Sequence, residues 1–180
     1  KLAVENILKD YNLAYGLDWI SLRYFNAAGA DPDGQIGEDH DPETHLIPLA
    51  ITAAMEPSNI LKLYGTDYNT PDGTCLRDYV HVCDIADAHV RALEGLENGI
   101  TSQALNLGTG KGHSNLEVLS KVSKLCGRTV PYTTVARRQG DTPVLIANAD
   151  RAEKILGWIP RYSNLDNILR TAIYWHTGNE

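Results

Sequence analysis

Two stretches of the 180-residue sequence concentrate residue types that do chemistry. In "ALNLGTGKGHSNLEVL" a run of glycines stands between a strand-like segment and a helical one, where a dinucleotide-binding turn presents backbone N–H groups to phosphate. The spacing fails that fingerprint. With Gly108 and Gly110 as the first two glycines, the third falls at His113, and no acidic residue closes a following strand at the expected distance. The turn is expected instead to lead into a helix capped by Ser114, with Glu117 three residues on. In "GEDHDPETH" His40 and His45 are metal-ligand types, but no third ligand has convincing spacing and no metal is expected. His81 and His89 read as packing and helix residues. Cys75, Cys83 and Cys126 form no C-x-x-C pair and leave one over in any disulfide scheme, which fits a reducing, cytoplasmic setting.

These residues need elements to position them, and the pattern supplies strands alternating with helices, an α/β class. Leu2, Val4, Ile7, Leu8 and Tyr11 recur at helical spacing, with Glu5, Asn6, Lys9 and Asp10 on the opposite, polar side. That helix has no Ser, Thr, Asp or Asn ahead of it, so it reads as already under way in a longer chain. Gly16 stops it, and "WISLRYF" alternates as a buried strand that runs out at Asn26. A loop dense in Gly, Pro and Asp follows, long enough to suggest more than a structural role. "LIPLAITAAM" is helical with Pro48 in its first turn, "ILKLY" is a short strand, and a second strand lies around Tyr79 to Val82 beyond the Pro71-Asp72-Gly73 turn. Asp84 is expected to cap the next helix, "ALNLG" to be a strand, and "VPYTTVA" and "VLIAN" to be strand-like around "RRQGDTP". Two helices close the sequence.

Composition narrows the function classes. With 43% apolar and 22% charged residues the chain suits one soluble globular core. The longest apolar run contains a proline and is far shorter than a membrane helix, so no membrane partner is expected. A net charge of -7 and a pI near 5.3 argue against nucleic acid as a partner and require any phosphate recognition to be local.

Several segments, in their order and spacing, carry a closer resemblance: "SLRYFNAAGADPDGQIGED", "HLIPLA", "YGTDYNTPDGTCLRDYVHVCDIADAHVRALE", "NLGTGKGHS" and "ARRQGDTP". They resemble the C-terminal half of the UDP-glucose 4-epimerase family, extended short-chain dehydrogenase/reductases. The resemblance implies the C-terminal part of a Rossmann fold (residues 1–26 and 84–110) joined to a smaller mixed α/β substrate-binding domain (27–83 and 111–180). It also implies NAD as cofactor, a UDP-sugar as substrate, and a homodimer of the full-length protein.

Inverting a secondary alcohol on a sugar requires a C–H bond to break and re-form on the other face. That hydrogen is too weakly acidic to leave as a proton, so it leaves as hydride to NAD while a base takes the hydroxyl proton. A tyrosine, with an ordinary pKa of about 10, needs a neighbouring ammonium to serve as that base. The resemblance gives this role to Lys1, which would also hold the nicotinamide ribose, and puts its tyrosine partner upstream. Phe25 is implied to contact the nicotinamide end; Tyr24 beside it is either a second cofactor contact or strand-end packing. Asn26, Arg77 and Arg138 are implied to bind the diphosphate, Tyr79 to line the sugar pocket and Asp141 to accept from the uridine ribose. His45 and Leu46 would meet the nucleotide, and Leu63 and Tyr64 the uracil. Leu145 would bound the pocket near the sugar C2 substituent, favouring UDP-glucose and UDP-galactose. The implied reaction is their interconversion at C4 in galactose metabolism, carried out by the full-length protein. The alternatives are an epimerase or dehydratase acting on another nucleotide sugar, and a non-catalytic remnant that binds UDP-sugar.

Overall fold

The structure is a computed structural model and describes residues 1–178. It opens on α1 (Leu2–Tyr15), which ends at Gly16 in the left-handed conformation, where the Gly16 N–H closes on the Asn12 carbonyl. The chain then runs through β1 (Ile20–Tyr24) and β2 (Asn26–Ala28). Next come α2 (Leu46–Met55), β3 (Leu61–Tyr64), β4 (Leu76–Arg77), β5 (Tyr79–His81) and α3 (Val82–Glu97). β6 (Gln103–Leu107), β7 (His113–Ser114), α4 (Asn115–Cys126), β8 (Tyr132–Val135) and β9 (Val144–Leu145) follow, and α5 (Asp150–Leu156) and α6 (Leu165–Thr177) close the fold.

β1 pairs in parallel with β6, β2 with β5, β3 with β8 and β4 with β9; β7 lies antiparallel to β4. The strand expected to end at Asn26 does not end there. At Phe25 it changes partner: the Phe25 N–H bonds the Leu107 carbonyl of β6, and the next N–H, of Asn26, bonds the Asp78 carbonyl beside β5. Parallel neighbours that diverge at their carboxyl ends open a crevice, the usual ligand position in an open α/β sheet.

Two apolar cores flank this divergence. One gathers Val80, Ile85, Ala88, Leu105, Leu107, Ala152, Leu156 and Trp158, so that α3 and α5 cover β1, β5 and β6. The other packs α2, α4 and α6 through Ile47, Ile51, Val118, Val122, Ile168 and Leu169, against Ala28, Leu61 and Tyr79. α5 packs in the first core although the sequence around it feeds the second, so the cores interleave along the chain.

Helix starts follow capping chemistry, with one correction. Ser114 Oγ accepts from the Glu117 N–H at 3.0 Å, as expected, but the Glu117 carboxylate turns to His113 Nδ1 instead of closing the capping box. α3 is capped by His81, not Asp84: His81 Nδ1 accepts from the Cys83 N–H at 3.1 Å. Asp84 is buried within the first turn, where its carboxylate accepts from the N–H groups of Arg161 and Tyr162 and from the Ser163 hydroxyl, tying α3 to the chain before α6. Pro48 is the third residue of α2, where a missing N–H is tolerated.

Candidate functional site

Below the strand divergence lies a cleft of about 670 Å³. β2 brings Asn26 to its floor, in register with Tyr79 of β5. The Asn26 side chain is fixed because its Nδ2 donates to the Asp78 carbonyl at 3.0 Å, which leaves the amide oxygen for a ligand. Tyr79 is buried in the second core, and that burial pushes its phenol well above the usual range, so it stays neutral and serves as a wall. β4 contributes Arg77, whose guanidinium is braced by the carbonyls of Leu76 and Thr142 (2.9 and 2.7 Å) and by Asp141 at 3.1 Å. These bonds leave further N–H donors of the fork uncommitted. Arg138 reaches the cleft from the loop after β8 and stacks over the Tyr64 ring of β3, 4.0 Å from its centroid. Its neighbour Arg137 points elsewhere, to Asp67 at 2.8 Å and onto the Tyr68 ring.

Lys1, Tyr24 and Phe25 line the same cleft, as do His45, Leu46, Leu63, Tyr64 and Asp141. Every residue to which the resemblance gives a binding or catalytic role therefore lies on this one cleft except Leu145. That side chain sits on β9 beside Arg77, 44% exposed and outside the cleft wall.

The glycine turn is closed to phosphate for a physical reason. The buried Asp78 carboxylate accepts from the N–H groups of Thr109 and Gly110 (3.0 Å each) and Ala147 (3.2 Å) and from the Thr109 hydroxyl (2.7 Å). An internal anion already fills the nest an external one would need. A Cβ on Gly108 would lie 2.2 Å from the Ala147 Cβ, so glycine is there for close packing.

Sequence reasoning missed other wall residues, among them Glu38, Lys62 and Trp175. It also missed that "EDHDPETH" repeats an E-x-H unit: Glu38 and His40, then Glu43 and His45. Their ligand-type atoms all lie within 4.8 Å of one another, and Glu38, His40 and His45 line the cleft.

Comparison with known proteins finds relatives along nearly the whole chain. Residues 1–108 match the model of the NAD dependent epimerase/dehydratase family. The chain belongs to that family. A UDP-glucose 4-epimerase of Lacticaseibacillus casei is 51% identical to this epimerase/dehydratase chain over 99% of the chain and 54% of its own length. The structure of UDP-glucose 4-epimerase from Brucella ovis in complex with NAD superposes with a TM-score of 0.93 at 52% identity, over 97% of the chain and 54% of that structure. The enzyme from Bifidobacterium longum, in complex with NAD+ and UDP, has a TM-score of 0.90 at 38% identity, over 99% of the chain and 53% of that structure. The chain spans about half the length of the relatives it matches. The fold is thus an α/β, Rossmann-type fold of the extended short-chain dehydrogenase/reductases, and what the sequence resembled it is also similar to in three dimensions.

Proposed function

We propose that this chain supplies the substrate half of an NAD-dependent UDP-glucose 4-epimerase that interconverts UDP-glucose and UDP-galactose when the protein is complete. The observation that carries the reading is the convergence of Asn26, Arg77 and Arg138 on one cleft of an acidic chain. Forked guanidinium donors match a diphosphate, and an amide fixed through its nitrogen can orient the sugar side of it. Arg138 would accompany the uridine that Tyr64, Leu63 and Leu46 enclose, with Asp141 placed to accept from the ribose while it holds Arg77 in position.

Lys1, Tyr24 and Phe25, which line the same cleft, suit the nicotinamide–ribose part of NAD by supplying an ammonium and two aromatic rings. They do not fit its diphosphate, since Asp78 fills the glycine turn. Bound NAD would supply the acceptor and donor of hydride at sugar C4. Lys1 would lower the pKa of a tyrosine base carried outside this chain so that it can take the C4 hydroxyl proton. The neutral wall of Tyr79 and the apolar side of α2 would leave room for the sugar to turn over between the two faces. Leu145 stands off the cleft, so the restriction to sugars without an N-acetyl group rests on the sequence resemblance.

The complete protein is proposed to be a cytoplasmic homodimer. Support comes from the free cysteines and from α1, whose Leu2, Val4, Ile7 and Tyr11 are at least half exposed.

The test pairs UDP titration calorimetry on this chain with an epimerase assay on the complete protein. Arg77→Ala and Arg138→Ala should each weaken UDP binding and raise KM by about 10- to 100-fold, the loss expected for a charge-assisted contact. UDP binding without turnover in the complete protein would leave a binding module. No UDP binding, or binding indifferent to both arginines, would overturn the reading.

A further inference from the structure

A second set of chemistry-bearing side chains, three of them lining the cleft, is not used by the diphosphate reading. Glu38 Oε1 lies 2.9 Å from His40 Nδ1 and 2.8 Å from His45 Nδ1, and His45 Nδ1 is also 2.9 Å from Glu43 Oε1. Two imidazole nitrogens thus converge on one carboxylate oxygen and one of them on a second. A neutral imidazole has a single proton to place on Nδ1, so His45 cannot satisfy both carboxylates with full hydrogen bonds. The two carboxylates are mostly buried, with side chains 22% and 19% exposed, while the imidazoles are more than half exposed. Two carboxylates and two imidazoles thus converge as one compact set of oxygen and nitrogen donors.

We propose that Glu38, His40, Glu43 and His45 form a site for one divalent transition-metal ion of the zinc class. Two nitrogens and two carboxylate oxygens are a ligand set that zinc accepts. Metal–ligand bonds of roughly 2.0–2.2 Å place tetrahedral ligand atoms roughly 3.3 Å apart, so the 2.8 and 2.9 Å contacts open by a few tenths of an ångström on loading. The wider separations, all within 4.8 Å, close around the ion. The backbone is already braced for this. Trp175 Nε1 donates to the Glu38 carbonyl at 2.9 Å, the Trp175 ring packs against Gly37, and His45 starts α2. Glu43 Oε1 accepts from the N–H groups of Thr44 and His45 at 2.6 and 2.7 Å, which orients it as outer-shell contacts orient a metal ligand. The exposed imidazoles provide the path of entry. The site shares His45 with the nucleotide contacts that the resemblance implies, and its geometry involves neither arginine.

The experiment adds Co²⁺ to tag-free, chelator-treated protein and follows the visible ligand-field bands, then displaces cobalt with Zn²⁺. One cobalt per chain, tetrahedral-type bands, micromolar or tighter affinity and loss of the bands on adding zinc are expected. His40→Gln and Glu38→Gln, compared with the parent by metal-free thermal melting, should each weaken binding by more than about 100-fold, above what loss of an outer-shell partner costs. Because His40 is exposed, its variant folds even where Glu38→Gln fails to. Absence of bands at millimolar cobalt, or bands retained at unchanged affinity in His40→Gln, would overturn the site.

Discussion

Glu5 shows how far a residue's type and its position in a pattern can diverge. Helical spacing puts it on the polar side of α1, yet it is buried while the apolar residues across the helix are exposed. The reason is Arg23 on β1, whose Nε donates to Glu5 Oε1 at 2.6 Å and whose Nη2 pairs with the other oxygen, with Ser21 adding a third donor. The Arg23 hydrogen bonds, helped by Ser21, outweigh the opposing effect of desolvation and hold the Glu5 carboxyl down to about 2, from an ordinary 4.5. A carboxyl depressed by folding stabilises the fold when ionised. Its contribution is complete above about 4.5 and disappears as pH falls to about 2. Glu5→Gln should therefore melt below the parent at neutral pH, with the gap narrowing through that window and closing near its lower end. A gap that stays constant with pH would show that the ion pair is not what holds Glu5. Asp78 is a related case: "RDYVHV" marks a family position, but only the fold shows its carboxylate gathering three backbone N–H groups from two distant segments. Long-range partners of that kind leave no local spacing to read.

At the scale of elements, most of what the sequence offered was local and correct: α1, α2, α4 and their ends follow from periodicity, Ser114, Gly16 and Gly127. What it misjudged was decided by pairing. The strand through Tyr24 continues as β2 because β5 is there to receive it, and "VLIAN" shortens to β9 because only Val144 and Leu145 meet β4. His81 caps α3 because its Nε2 side is already fixed on Thr171, turning Nδ1 to the helix start. The repeated E-x-H unit was legible in principle, since its spacing is local, but a search for histidines alone passes over it. The glycine turn joins these elements. Its N–H groups bind Asp78, and the close approach of Gly108 to Ala147 lets the segment after β9 lie against it. Gly108→Ala should cost about 1–3 kcal/mol in urea unfolding, the range for forcing a methyl group into a packed interior. A change under about 0.5 kcal/mol, the scale of a neutral surface substitution, would mean the turn is slack.

For the molecule as a whole, the two cores have separate duties. The first carries Phe25 and Asn26 to the divergence, and the second, with α2 and β3, raises the opposite wall on which Leu46, Leu63 and Tyr64 lie. The candidate cleft is therefore a property of how the cores meet, which is why no periodicity along the chain points to its walls. The same architecture turns one side of α1 away from both cores: Val4, Ile7, Tyr11 and Tyr15 are between 50% and 77% exposed, while Glu5 faces inward. Val90 and Leu93 of α3 are also more than half exposed. Exposed apolar side chains in this number are uncommon on a monomer that stays dispersed. In solution the 180-residue chain should enhance the fluorescence of an apolar-surface dye and scatter light increasingly with concentration. Replacing Ile7 and Tyr11 by lysine should reduce both signals, because long charged stems cover the stripe and add like-charge repulsion along it. It should leave the melting temperature nearly unchanged, since neither side chain lies in a core. Dye fluorescence at the level of an ordinary compact monomer, or signals indifferent to the two lysines, would mean that this face is not what the molecule presents to its surroundings.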